Sequence, residues 1–79
     1  MTKENKKLLA AAAEKIKSTE KEIGRIGIEE TEWGAKTEPG SMDHMEMCFV
    51  MAVAADKLSS AKDLIDKALN IADDLEGTI

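Results

Sequence analysis

The sequence predicts an all-α protein: a helical hairpin with a long second helix, self-associating into an antiparallel four-helix bundle or a higher helical oligomer. Three observations carry this expectation. Residues that break helices are scarce, with one Pro and five Gly in 79 residues. Apolar residues recur at steps of three and four along two long segments, the signature of amphipathic helices. Four of the five glycines fall between Gly24 and Gly40 and divide the chain. The resulting single domain, 1–79, is expected to comprise helix 3–23, connector 24–42 and helix 43–76.

The first helix rests on Leu9, Ala12, Ile16, Thr19, Ile23 and Ile26 at three-four spacing, with Leu8 widening the stripe. Lys, Glu and Ala, all good helix formers, fill the positions between. Gly24 and Gly27 are read as its C-terminal stop. The connector that follows is long for a helix–helix link, and such loops are generally functional or disordered. Its "RIGIEE" alternation also permits one short extended strand.

The second helix opens after "EPGS", where Ser41 or Asp43 can cap it and Asp43 with Glu46 has capping-box spacing. Met51, Ala54, Leu58, Ala61, Ile65, Ala68, Ala72 and Leu75 then step alternately by three and four in unbroken phase, ending before Gly77. A second capping pattern, "SAKD" at 60–63, offers a break at Ser59 and a three-helix alternative. The unbroken phase favours one helix. At about 1.5 Å per residue it overhangs a 21-residue partner by several turns. Two helices also cannot enclose a core, so self-association is expected.

Composition narrows the function. A 79-residue chain with one Cys has no internal disulfide to supplement a small core. The unpaired thiol suits a reducing compartment, and no long apolar run suggests a leader or a membrane span. The chain therefore reads as soluble, unprocessed and cytoplasmic. Net charge is −5, unevenly spread: residues 1–25 carry seven bases against four acids, and the remainder four bases against twelve acids. This asymmetry permits pairing between segments or subunits. Overall acidity argues against a general nucleic-acid binder. RNA binding through Lys3, Lys6, Lys7, Lys15 and Lys17 of the first helix is the alternative.

The expected architecture resembles the Rop-like hairpin dimers, and the opening "MTKENKKLLAAAAEKI" is similar to theirs over a handful of helix-forming positions. The connector is longer than the tight turn of that fold. The Trp-Gly pair in "EWGAK" resembles the secreted WXG hairpins, without the residue that separates the pair there. No residue role is carried over from either.

Two segments contain the candidate functional residues. "SMDHMEMCFVMAVAA", 41–55, holds four of the five methionines, the Cys, the His and the Phe. His44, Met47, Cys48 and Met51 share a helical face and comprise soft ligands, so small-ligand or Cu(I) sequestration near His44 and Cys48 is a further alternative. Neither a second Cys nor a paired motif accompanies them. The expectation is a buried packing segment with no metal and no cofactor. Met47, Phe49, Met51, Leu58, Ile65 and Leu75 are the expected oligomer interface. In the connector, Ile28 and Trp33 among Glu29, Glu30 and Glu32 read as an apolar anchor ringed by acids, suited to a basic protein surface. The competing reading has Trp33 and the isoleucines capping the bundle end. No nucleophile–base–orienter set or phosphate loop is evident, so no enzyme activity is expected. The chain reads as a non-enzymatic, protein-binding regulatory or inhibitor module of the kind a phage or mobile element encodes, with itself and another protein as partners.

Overall fold

The computed structural model describes residues 1–77. Two helices of nearly equal length, α1 (Lys3–Thr37) and α2 (Met42–Gly77), lie antiparallel and form a rod of 60 × 15 × 12 Å. Both are α-helical, and the described residues contain no strand. The all-α hairpin expected from periodicity is therefore present. No described helix is long and apolar enough to cross a membrane.

The connector expected at 24–42 is the main correction. Residues 24–37 continue α1, and the link shortens to Glu38–Ser41. "RIGIEE" is helical, not extended. Glycine within a helix costs about 1 kcal/mol relative to alanine, so something must offset Gly24, Gly27 and Gly34. Arg25 bridges Glu22 and Glu29 on the surface of this stretch. Thr31 and Thr37 donate their hydroxyls to the carbonyls of Gly27 and Trp33, each at 2.7 Å. These are small surface terms. The main compensation is packing: the face of α1 turned to α2 continues in phase through Ile23, Gly27, Glu30 and Gly34. Tertiary contact overrides local propensity here.

Both ends of α1 are capped. Thr2, in extended conformation, accepts the amide of Asn5 at 3.1 Å. The other end stops before Pro39, which disfavours helical geometry in Glu38 (φ −136°, ψ 56°). Glu38-Pro39-Gly40-Ser41 then forms a type II turn. The Ser41 amide donates to the Glu38 carbonyl at 3.1 Å, and Gly40 has φ +80°. Ser41, not Asp43, caps α2, its hydroxyl accepting the His44 amide at 3.2 Å. α2 runs unbroken past Ser59, which removes the three-helix alternative. With 35 and 36 residues the helices match, so the overhang expected from the sequence does not exist.

The contact seam differs in phase from the apolar stripes. On α1 the covered register is Leu9, Ala13, Ile16, Glu20, Ile23 and Gly27, continuing to Glu30 and Gly34. On α2 it is His44, Cys48, Met51, Ala55, Leu58 and Lys62, continuing to Ile65, Leu69 and Ala72. Leu9, Ile16, Ile23, Met51, Leu58, Ile65 and Ala72 fall where periodicity placed them. Ala12, Thr19, Ile26, Ala54, Ala68 and Leu75 do not: they are exposed, each beside the seam. The core is correspondingly thin. Among the described residues Ala13 and Ala72 are the buried hydrophobic ones, and no large side chain is fully enclosed. At the open end Lys6 binds both Asp73 and Glu76, joining the start of α1 to the end of α2.

Candidate binding surface

The half of the rod next to the turn holds both candidate segments. Gly34 brings them together. A Cβ on Gly34 would overlap the imidazole of His44, so the ring occupies the space that glycine leaves. There His44 Nε2 donates to the Glu30 carbonyl at 2.6 Å, and the ring lies 5.5 Å from that of Trp33, tilted by 44°. The carbonyl is thereby bonded twice at most, once within the helix and once to the ring. This contact couples the first turn of α2 to the last turns of α1.

The expected anchor patch does not assemble on one side. Ile28, Glu29, Glu30, Glu32 and Trp33 are on helix α1, not on a loop, and successive residues turn by about 100°. Ile28 and Glu32 therefore share one side of the hairpin, while Glu29 and Trp33 share the other. Glu30 falls in the seam between them. Ile28 (64% exposed) and Trp33 (50% exposed) are each half or more open. Trp33 thus contacts His44 with part of its surface and leaves the rest to solvent.

The Ile28 side is concave. An open groove of about 430 Å³ runs between Gly24, Gly27 and Ile28 on α1 and Cys48, Met51 and Ala52 on α2. It exists because Gly24 and Gly27 present no side chain, and a Cβ at either would meet nothing within 4 Å. A second concavity of about 460 Å³ adjoins it towards the turn, lined by Ala35, Pro39, His44 and Met45, with Thr31 and Cys48 common to both. Phe49 is 69% exposed and, at helical spacing from Met45 and Ala52, flanks the grooves on α2.

Segment 41–55 is not buried in the single chain. Met42, Met45, Phe49 and Val50 are all more than half exposed, and only Ser41, His44, Cys48, Met51 and Ala55 are partly covered. The expected interface residues likewise divide. Met51, Leu58 and Ile65 are in the intramolecular seam. Met47 and Leu75 lie on the Trp33 side, and Phe49 on the Ile28 side. Sequence reasoning missed Gly34 and the exposed residues Val50, Leu64 and Ile71. The last three repeat at multiples of seven, a signal that was present but one residue out of phase with the stripe chosen.

His44 and Cys48 both lie on the seam, and the Nε2 of His44 is engaged by the Glu30 carbonyl. Among the described residues no group of three His, Cys, Asp or Glu side chains is placed to hold a metal ion. The basic residues of α1 are partly engaged. Asp73, then Glu76, hold the Lys6 amine above its usual 10.5 by hydrogen bonding. Glu22 and then Glu29 raise Arg25 in the same way.

No protein-family model, curated protein or solved structure matches the chain.

Proposed function

We propose that the protein is a non-catalytic, self-associating helical hairpin that binds another protein, in a regulatory or inhibitory role. The observation that supports this best is the pair of apolar sides near the turn. Ile28, Met45 and Phe49 lie towards one side and Met47, Val50 and Trp33 towards the other, all of them at least 41% exposed. Contiguous exposed apolar surface marks an interaction site. A second copy of the hairpin packed on one side leaves the other for a different partner. The Ile28 side has both the concavity and an exposed acid, Glu32, in its lining. It suits a basic partner surface that inserts an apolar side chain between the helices.

RNA binding through Lys3, Lys6, Lys7, Lys15 and Lys17 of α1 draws less support, because the chain is acidic overall and Lys6 is already paired with Asp73 and Glu76. The test is affinity capture from a cell extract with the intact protein and with an Ile28→Ser/Phe49→Ser variant, identifying proteins and RNA together. A protein that binds the intact chain directly after purification, and at least ten-fold more weakly binds the variant, supports the reading. RNA capture that is lost at raised salt and on Lys7→Glu replaces it with the nucleic-acid reading.

A further inference from the structure

The hairpin seam uses only one edge of the apolar stripe on each helix. On α1 the positions that alternate with Leu9, Ile16 and Ile23 in the seam are Lys6, Ala13, Glu20, Gly27 and Gly34. On α2 the positions that alternate with Met51, Leu58, Ile65 and Ala72 include Ser41, Cys48, Ala55 and Lys62. Apart from Leu69, which continues this series and is partly covered, these are small or charged. The larger apolar residues continue instead around the Trp33 side. On α2 this side carries Met47, Val50, Ala54, Ala61, Leu64 and Ala68, followed by Ile71. Val50 is 58%, Leu64 67% and Ile71 50% exposed. Leu8, Ala12, Ile26 and Trp33 accompany them on α1. The hydrophobic phase of both helices is displaced in the same direction, about one residue away from the surface they share.

We infer that this Trp33-side face, running the length of the rod from Met47 to Ile71, is closed by the same face of a second copy of the chain. The inference rests on the self-association proposed above and assigns it a surface. The size of the uncovered area supports a full-length interface. A compact 8.6 kDa chain exposes about 4,700 Å², whereas this one exposes 6041 Å². Covering an excess of about 1,300 Å² on each of two chains buries an area within the ~2,000–5,000 Å² of obligate homodimers.

The opposite side cannot supply that length. Beyond the grooves its α1 edge becomes Lys21, Lys17, Lys7 and Lys3, and its α2 edge Asp56, Asp63, Asp66 and Asp73. A copy placed there would desolvate charges along half the rod. Along the Trp33 side the charges are Lys15 and Lys57, with Glu22 and Glu29 already paired to Arg25 of the same chain, while Lys36 and Asp43 lie near the turn. The four-helix arrangement expected from the sequence is thereby retained, with Val50, Leu64 and Ile71 added to its interface and Phe49 excluded.

Sedimentation equilibrium of the full chain, with circular dichroism at each concentration, tests the assignment. The intact protein is expected to sediment as a dimer at micromolar concentration. Leu64→Asp places two charges in each interface and is expected to raise the dissociation constant at least 100-fold, with helicity lost on dilution. Leu64→Met is expected to restore the dimer. Phe49→Asp, on the other side, is expected to leave it unchanged. A dimer that survives Leu64→Asp but dissociates on Phe49→Asp overturns the assigned face while preserving self-association. A folded, helical monomer of the intact protein overturns both.

Discussion

The two halves of the rod use the same pair of helices differently. In the open half, away from the turn, one side is apolar (Leu8, Leu64, Ile71) and the other is charged, with Lys6 binding Asp73 and Glu76 across the end. In the turn half both sides are apolar, and next to the turn the helices meet through Gly34, His44 and Trp33. An amphipathic helix with one dry side needs one partner surface, while one apolar all round needs several. On the function proposed above, the open half serves assembly, and the turn half assembly and recognition together. Charge marks the boundary: on the Ile28 side, Phe49 and Ala52 give way to Asp56 within two turns.

The largest expected effect that separates the halves is at Gly34. Gly34→Val displaces the His44 ring, breaking its bond to Glu30 and its contact with Trp33. The expected loss is about 1–2 kcal/mol, from one hydrogen bond and one ring contact. Thermal melts should record it as a lower Tm, together with a change in Trp33 fluorescence. An unchanged melt and spectrum would mean that the two helices are not joined there.

Glycine substitutions of opposite sign come next. Gly40→Ala is expected to destabilise the hairpin by about 1 kcal/mol, because φ +80° is strained for any residue with a Cβ. Gly24→Ala is expected to stabilise it by about 0.5–1 kcal/mol, since the backbone is helical and the added methyl group meets nothing. Denaturant melts of the two variants decide whether residues 24–37 are helix or loop. If both substitutions destabilise, the helical assignment fails.

The smallest effect belongs to the open half. Lys6 has a folded-state pKa above 10.5, chiefly through its hydrogen bond to Asp73. A raised lysine pKa stabilises the fold fully below about 10.5 and loses that contribution as pH rises through the folded value. Melts between pH 9 and pH 12 should therefore show a decline that Lys6→Gln reduces. Lys6 is 23% exposed but its partners Asp73 and Glu76 are 60% and 44% exposed, so the difference is expected to be slight and to shrink in salt.

Helix content and the hairpin were legible because Ala, Lys, Glu and Leu dominate two periodic segments. The extent of α1 was not. Gly24 and Gly27 read as stops under local propensity, yet a glycine is also what a close helix contact or an open groove requires. The single true turn glycine, Gly40, differs from them in following Pro39, and that pair was the decisive local signal. The apolar stripe was read correctly as apolar, but only one edge of it (Leu9, Ile16, Ile23, Met51, Leu58, Ile65 and Ala72) forms the seam. Periodicity reports which residues avoid water without saying which neighbour covers them. The acidic anchor was drawn on a loop, where Ile28 and Trp33 can converge, whereas on a helix five residues place them on different sides. The His44–Gly34 contact left no trace in the pattern, because a small residue facing a large one has no period.

The tight turn also sets the order in which the chain can come together. Closing four residues brings Gly34 and His44 within reach at little entropic cost, and each further pair extends from an existing contact. The last pairing, Lys6 with Asp73, spans nearly the whole chain. The hairpin should therefore close like a zipper from Pro39-Gly40 outward, and open in reverse. Native-state amide exchange would then be slowest near the turn and fastest beside Lys6 in the isolated chain. Dimer formation would flatten that gradient by holding the fraying end.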